Sequence, residues 1–397
     1  MVQQKLVSSE KTNEKEKICR EELKPQLRFS EFTDNWKESN LGNLFNFSVA
    51  GDMDKELFSE IKDEEFKYPL YANALEKEGL LGYYKESKYI ANSITITARG
   101  NIGHSIVRKS DFNAIGRLII LNSKKELNND FFSEYINSNL KFYIESTGVP
   151  QLTAPSLKIN KVKYPNLDEQ NKISNFILAI NKKIELLEKK LVLYQQLEKD
   201  IRKSIFNFNN EKVRFNKFLL GEIAEIKKGF TPSTQNEEFW DDGKYLWLSI
   251  ADMNKKYLTE TSKKITEKAI KNKEIVPKNT LVMSFKLTIG KLAILKEDMF
   301  TNEAIASFNW KNKKISTEYM YFYLKSINIK KYGSQAAKGI TLNNETLNSI
   351  PVYLPDSNKQ KEIVEILLSF NNKIDLVKTQ LTALNRFKKG LLQKMFI

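Results

Sequence analysis

Residues 165–207, PNLDEQNKISNFILAINKKIELLEKKLVLYQQLEKDIRKSIFN, align without a gap on residues 355–397, PDSNKQKEIVEILLSFNNKIDLVKTQLTALNRFKKGLLQKMFI. Pro165/Pro355, Gln170/Gln360, Asn181/Asn371 and Phe206/Phe396 are among the identities. A repeat of this length turns the chain into two half-size copies, and that decides the architecture.

The apolar residues of the first stretch fall at Ile173, Ile177, Ile180, Ile184, Leu187, Leu191, Tyr194, Ile201 and Ile205. In the second the same slots hold Ile363, Leu367, Phe370, Ile374, Val377, Leu381, Leu384, Leu391 and Met395. The steps alternate four and three, which is the spacing of a coiled-coil seam. Each copy breaks once, at Glu198 and at Lys388, with Leu197 and Phe387 beside the break. A shared break argues that both helices do one job, and it predicts a Glu198–Lys388 pair. At 1.5 Å per residue each helix is a rod of roughly 58 Å. Such a helix is marginal alone, so its seam needs a partner, and the natural partner is the other copy. Two unrelated amphipathic helices would not share the break or the matched Pro and Phe ends.

The repeat continues outside the rods. Arg28-Phe29-Ser30-Glu31-Phe32 matches Arg214-Phe215-Asn216-Lys217-Phe218, and Leu41-Gly42 matches Leu220-Gly221. Ile94-Thr95-Ile96-Thr97 followed by Ile102-Gly103 matches Leu281-Val282-Met283-Ser284 followed by Ile289-Gly290, and Gly148-Val149 resembles Gly339-Ile340. The chain therefore reads as a loose polar N-terminal segment (1–24), globule one (25–164), a rod (165–207), globule two (208–354) and a second rod (355–397). Short β-type runs at 93–98, 105–108, 117–121, 245–250, 281–285 and 292–295 alternate with helical patterns near 130–145 and 317–330. The expected fold is α+β. Two mixed α/β globules are separated by two long antiparallel helices that form a coiled coil, related by a pseudo-twofold internal repeat.

Composition narrows the function. Hydrophobic residues make up 41 % and charged residues 28 %, and no apolar run is long enough to span a bilayer. No secretory signal is visible. The single Cys19 excludes intrachain disulfides and a thiolate zinc cage, and fits a reducing cytoplasm. The net charge of +15 and pI near 9.4 suggest a polyanionic partner. Only 8 of the 64 basic residues are Arg, so an AT-rich genome accounts for much of the Lys content. The excess of 64 bases over 49 acids remains.

No catalytic constellation stands out. The lone His104 rules out His-pair metal sites, and no phosphate-binding glycine loop of either common type is present. No Pro-Pro pair occurs, which removes the N/D/S-P-P-aromatic site of amino-methyltransferases. Asp52, Asp241, Asp242, Asp252 and Glu303 read as turn and cap residues rather than metal ligands. The chain looks like a binding scaffold.

These motifs resemble the specificity (S) subunits of type I restriction–modification systems, over nearly the whole chain from about residue 25. Leu27-Arg28-Phe29-Ser30-Glu31-Phe32…Trp36…Leu41-Gly42 resembles the opening of such subunits. Gly229-Phe230-Thr231-Pro232-Ser233…Trp240…Gly243…Trp247…Asp252 resembles the start of a target recognition domain, and Leu167-Asp168-Glu169-Gln170 the family's helix start. Globule one departs at Val49-Ala50-Gly51-Asp52, where Thr-Pro-Ser is absent. It carries instead Tyr68-Pro69-Leu70-Tyr71-Ala72-Asn73 and Arg99-Gly100-Asn101-Ile102-Gly103. The second rod opens Asp356-Ser357-Asn358-Lys359-Gln360 and loses the acidic residue.

The resemblance implies a non-catalytic, cytoplasmic subunit of a bacterium or archaeon that binds double-stranded DNA. Each globule would read one half of a bipartite, asymmetric target. The rods would set the spacer and dock two methylation subunits, with a restriction subunit as a further partner. No cofactor is expected on this chain, because S-adenosylmethionine and ATP with Mg belong to the partners. The candidate DNA contacts follow the glycine turns, where backbone can approach a phosphate. In globule one they are Tyr83, Tyr84, Lys85, Arg99, Asn101 and His104. In globule two they are Lys228, Thr231, Ser233, Gln235, Lys286, Thr288 and Lys291. Arg99 and Lys286 occupy equivalent places before Ile-Gly. Two competing readings are a coiled-coil adaptor that binds proteins only and a nucleic-acid-modifying enzyme.

Overall fold

Both repeated stretches fold as single helices of 39 residues, Leu167–Ile205 and Ser357–Met395. The structure, a computed structural model, describes residues 23–142, 150–207, 215–286, 288–336 and 339–397. Cys19, Gly148-Val149 and Arg214 fall outside the described residues. The chain divides into two compact units, one running to Leu187 and including Gln380–Ile397, the other Glu188–Thr379. Each unit thus holds the start of one long helix and the end of the other.

The seam pattern is visible in burial. Ile173, Ile177, Ile180 and Leu187 are buried, as are Ile363, Leu367, Ile374 and Val377, while Leu186, Leu193, Leu197, Leu376 and Phe387 beside them are exposed. In the first unit Ile173, Ile177 and Ile180 share one core with Leu391, Met395 and Phe396. In the second, Ile363 and Leu367 share a core with Phe206, with Ile201 and Ile205 packed against it. The expected Glu198–Lys388 pair does not form. Glu198 accepts from Arg202 Nε at 3.0 Å one turn along its own helix, and Lys388 stands 3.4 Å from Glu134. A buried charge takes the nearest partner that satisfies it, and each slot has one in its own unit.

The repeated identities are contacts made twice. Gln170 donates its amide to Pro165 O at 2.9 Å and accepts from Asn128 N at 3.0 Å. Gln360 does the same with Pro355 O at 3.0 Å and Ser316 N at 2.9 Å. Asn128 and Ser316 are the N-caps of the helices Asn129–Asn139 and Thr317–Ser326, so one glutamine fixes each helix start to each rod start. Phe396 meets Phe131 and Tyr135 edge-on at 5.3 and 5.4 Å. Phe206 meets Tyr319 and Tyr323 at 5.7 and 5.6 Å. The opening motif has one structural purpose. Arg28 grips Glu169 through Nε and Nη2 at 2.7 Å each, and Trp36 Nε1 adds a contact at 3.3 Å to this fully buried carboxylate.

Each unit carries the same antiparallel frame. In the first, strands run in the order Phe45–Val49, Ile119–Ser123, Ile94–Ile96, Ser105–Val107. In the second the order is Ala224–Lys228, Ile305–Trp310, Leu281–Ser284, Leu292–Leu295, with Tyr257–Leu258 added at the edge in parallel. Ile94 pairs with Val107 as Leu281 pairs with Ile294. A second sheet in unit one runs Phe58–Ser59, Leu80–Tyr84, Tyr68–Tyr71, Asn113–Ala114. Its counterpart in unit two runs Lys263–Ile265, Tyr245–Leu248, Phe300–Thr301. The two short helices end at Asn139 and Ser326, earlier than their sequence patterns suggest. Beyond Asn139 the chain turns extended, and the Phe142 ring lies against Gly103 so closely that a Cβ there would sit 2.2 Å from it.

Candidate nucleic-acid interface

The expected equivalence of Arg99 and Lys286 is built by one loop made twice. Thr97 Oγ1 donates to Asn101 O and accepts from His104 N at 2.9 Å, while Gly103 N reaches Thr97 O at 2.8 Å. In globule two Ser284 Oγ donates to Thr288 O and accepts from Lys291 N at 3.0 Å, and Gly290 N reaches Ser284 O at 2.8 Å. Gly103 and Gly290 both hold φ at 88°, the left-handed region where a Cβ is strained. The hydroxyl ties each loop at its base and leaves Arg99, Asn101 and His104, and Lys286 and Thr288, exposed.

The charges differ. The Arg99 fork holds Gln151 Oε1 through Nε and Nη2 at 3.0 and 2.8 Å. Although the His104 residue is exposed, partial desolvation of its ring and then the nearby Arg108 charge hold the imidazole below its ordinary value, which favours the neutral donor–acceptor form at neutral pH. Lys228 and Lys286 both lie over the Phe285 ring, at 4.9 and 5.7 Å. Burial, then the charge of Lys286, pulls the Lys228 ammonium below its usual pKa. Among the described residues neither lysine has a carboxylate partner, so an arriving anion would relieve both. Beside them a cleft of roughly 350 Å³ is lined by Lys227, Lys228, Phe230, Asn272 and Lys273.

The Gly229…Asp252 motif is largely scaffold. A Cβ on Gly229 would lie 1.9 Å from Thr301 O, so only glycine fits. Trp247 Nε1 donates to Phe230 O at 2.9 Å, Trp240 Nε1 donates to Ser233 O at 3.0 Å, and the two indoles meet edge-on at 5.0 Å. Asp252 accepts from Ser249 N at 3.0 Å, Ser249 Oγ at 2.7 Å and Ser262 N at 3.1 Å. Thr231 accepts from Asn302 at 2.8 Å. Thr231, Ser233 and Gln235 are exposed on this frame, beside the exposed carboxylates Glu237, Glu238, Asp241 and Asp242.

Three candidates are engaged elsewhere. Tyr84 is buried, its hydroxyl accepts from Asp54 N at 2.7 Å, and burial raises its phenol pKa, so its ring belongs to the sheet rather than to a DNA surface. Lys85 pairs with Glu65 at 2.6 Å and covers the Phe66 ring, while Lys291 donates Nζ to Ile250 O at 3.1 Å. Tyr83, half-buried on the strand Leu80–Tyr84, lies 5.9 Å below Lys62. The glycine-turn rule located the loops but could not see these partners, which come from distant sequence. Among the described residues no cluster of His, Cys, Asp and Glu could hold a metal ion, and no helix is long and apolar enough to cross a membrane.

A family model described as type I restriction modification DNA specificity domain matches residues 33–198 and again 212–386. The chain belongs to this specificity-domain family, in two copies. The type I restriction enzyme MjaIX specificity subunit of Methanocaldococcus jannaschii is 29 % identical over 44 % of this chain and 42 % of its own length. The chain therefore spans about two fifths of that relative. The MjaVIII specificity subunit of the same organism is 23 % identical over 90 % of this chain and 91 % of its own. A crystal structure of the type I system S subunit from M. genitalium shares the fold, with a TM-score of 0.66 at 18 % identity, covering 94 % of this chain and 99 % of that one. Each matched stretch overlaps one globule and part of the rod that follows it in the sequence. These relatives are named as specificity subunits.

Proposed function

We propose that this chain reads DNA for a type I restriction–modification complex. Each globule reads one half of a bipartite, asymmetric target through base edges, largely in the major groove, while lysines engage phosphate. The long helices set the unread interval and dock two methylation subunits, and a restriction subunit joins that assembly. S-adenosylmethionine and ATP then reside on the partners.

The observation that carries this reading is the duplicated loop, which presents Arg99 from one globule and Lys286 from the other on the same hydroxyl-tied frame. Equivalent placement with different chemistry is what two unlike half-sites need. The test is single-molecule methylation mapping of genomic DNA from cells with and without the chain, both carrying an active methylation subunit. A methylated motif in two fixed parts with a constant gap, present only with the chain, supports the reading. No chain-dependent motif would overturn it and favour a protein-only adaptor.

A further inference from the structure

The turn between strands Tyr68–Tyr71 and Leu80–Tyr84 has an unusual backbone. Lys77 and Glu78 hold φ at 47° and 55°, and Gly79 follows at 81°. Left-handed backbone is unfavourable for a residue with a Cβ, and Lys and Glu lack the local hydrogen bonding that lets Asn or Asp adopt it. Two such residues in succession persist only where their surroundings impose them.

The restraint comes from below. Arg108, 4 % exposed, donates Nη1 to Glu78 O and Nε to Thr95 Oγ1, each at 2.9 Å, and its guanidinium lies 3.6 Å from the Tyr71 ring centre. Among the described residues no carboxylate forms an ion pair with it. A buried cation bonded to neutral atoms is costly, and the Glu78 charge offsets part of that cost. Asn73 supplies a second restraint, donating to Gly116 O and accepting from Ala98 N at 2.7 Å. Ala98 precedes Arg99, so the strained turn is fixed to the loop that carries Arg99 and His104. Yet the turn adds little to the core, since Leu75, Glu76, Lys77 and Glu78 are all exposed. Compensating Arg108 needs the Glu78 carbonyl and charge, but it gives no reason for the exposed Leu75, Glu76 and Lys77 of this strained turn.

We infer that the Leu75–Gly79 turn is a base-reading element of globule one, acting beside Arg99, and that Arg108 is its positioning residue. The inference rests on the DNA-reading function proposed above. Phosphate repels exposed carboxylates, so Glu76 and Glu78, on the turn that Asn73 joins to Ala98, suit base edges rather than the backbone. Carboxylates accept from the cytosine amino group, Lys77 donates to guanine, and Leu75 fits a thymine methyl.

The test compares the unvaried chain with the double variant Lys77→Gly/Glu78→Gly and with Glu78→Gln, each mapped by methylation in cells carrying the methylation subunit. Glycine relieves the left-handed strain, so a purely structural turn predicts an unchanged motif. The inference predicts a melting midpoint at or above that of the unvaried chain. It also predicts that discrimination falls by about tenfold or more at one or more positions of a single half-site, the size of one lost base contact. The other half-site and the gap stay fixed. Arg108→Lys, which keeps the charge but cannot span Thr95 and Glu78, should degrade the same half-site. An intact motif in both glycine and glutamine variants overturns the inference, as does a lowered midpoint in the glycine variant. If the unvaried chain itself directs no two-part motif, the parent proposal falls, and that outcome is read from the control alone.

Discussion

Phe396→Ala tests the most specific packing claim, that the residue just past the second long helix is a structural member of globule one. Phe396 is 4 % exposed and meets Phe131 and Tyr135 edge-on. Removing a buried phenylalanine costs about 3–5 kcal/mol in lost transfer energy and residual cavity. The upper half of that range applies, because the walls cannot follow. Phe131 is fully buried, and Tyr135 is held by its hydroxyl, which donates to Ile397 O at 2.8 Å and accepts from Lys163 N at 3.2 Å. For a unit of about 200 residues, 4 kcal/mol corresponds to a fall in melting midpoint of about 8–16 °C. The assay is thermal unfolding followed by hydrogen exchange read by mass spectrometry. Peptides covering Ile94–Ile96 and Asn129–Asn139 should lose protection, while Leu281–Ser284 keeps its own. A loss under about 1 kcal/mol would mean the ring is not seated. Equal deprotection of both units would mean the two cores are not separate. Phe206→Ala should give the mirror result, with Leu281–Ser284 deprotected.

Gly229→Ala puts a methyl 1.9 Å from a backbone carbonyl that cannot yield, so we expect about 3 kcal/mol or more of destabilisation, measured as a shift in the urea midpoint. Arg99→Ala should weaken recognition of one half-site and leave the other intact, read by methylation mapping; equal relaxation of both would refute the assignment. Lys228→Ala and Lys286→Ala together should reduce the salt slope of DNA binding by about 0.9 if the pair holds one phosphate, and an unchanged slope would remove phosphate from that site. Burial opposes ionisation of Asp252, but hydrogen bonds from Ser249 and Ser262 outweigh it and lower its pKa. Its stabilising contribution is therefore present above the unfolded carboxylate value, near about pH 4, and is lost as pH falls through the lower folded value. Melting midpoints of Asp252→Asn and the unvaried chain should differ at about pH 6 and draw together as pH falls below the unfolded carboxylate value of about 4; parallel curves would refute this.

The repeat was legible because a contact made twice leaves the same residue twice. Gln170 and Gln360 each join a rod to a cap, and Phe206 and Phe396 each fill an aromatic seat. The heptad pattern located both helices because it samples one face over many turns. The strand Tyr68–Tyr71 was not legible. Pro69 argues against an inner strand, yet it sits outside the parallel pairing, which involves only Leu70 and Tyr71, so its missing N–H is not needed there. Nor could the sequence reveal the left-handed Lys77-Glu78 turn, since neither residue signals it. Its restraint, Arg108, lies 30 residues on from Glu78, just after the edge strand Ser105–Val107 of the other sheet.

The candidate site divides along a related line. Positions that hold the two hydroxyl-tied loops keep their chemistry between copies. Thr97 and Ser284 are both hydroxyls tied to the same backbone groups, and Gly103 and Gly290 share one φ. Positions that face outward from those loops do not keep it. Arg99 offers a planar fork suited to two parallel hydrogen bonds, whereas Lys286 offers a point charge shared with Lys228 over one ring. A scaffold under the same mechanical demand in both globules must stay the same, and readers of unlike sequences must not. If the globules read DNA as proposed, comparing the two halves of this chain separates holding residues from candidate reading residues without any other protein. By that criterion the next place to look for readers is where the frame matches and the side chains do not: Asn101 against Thr288, and the exposed Thr231, Ser233 and Gln235 against the segment after Gly51 that replaces them.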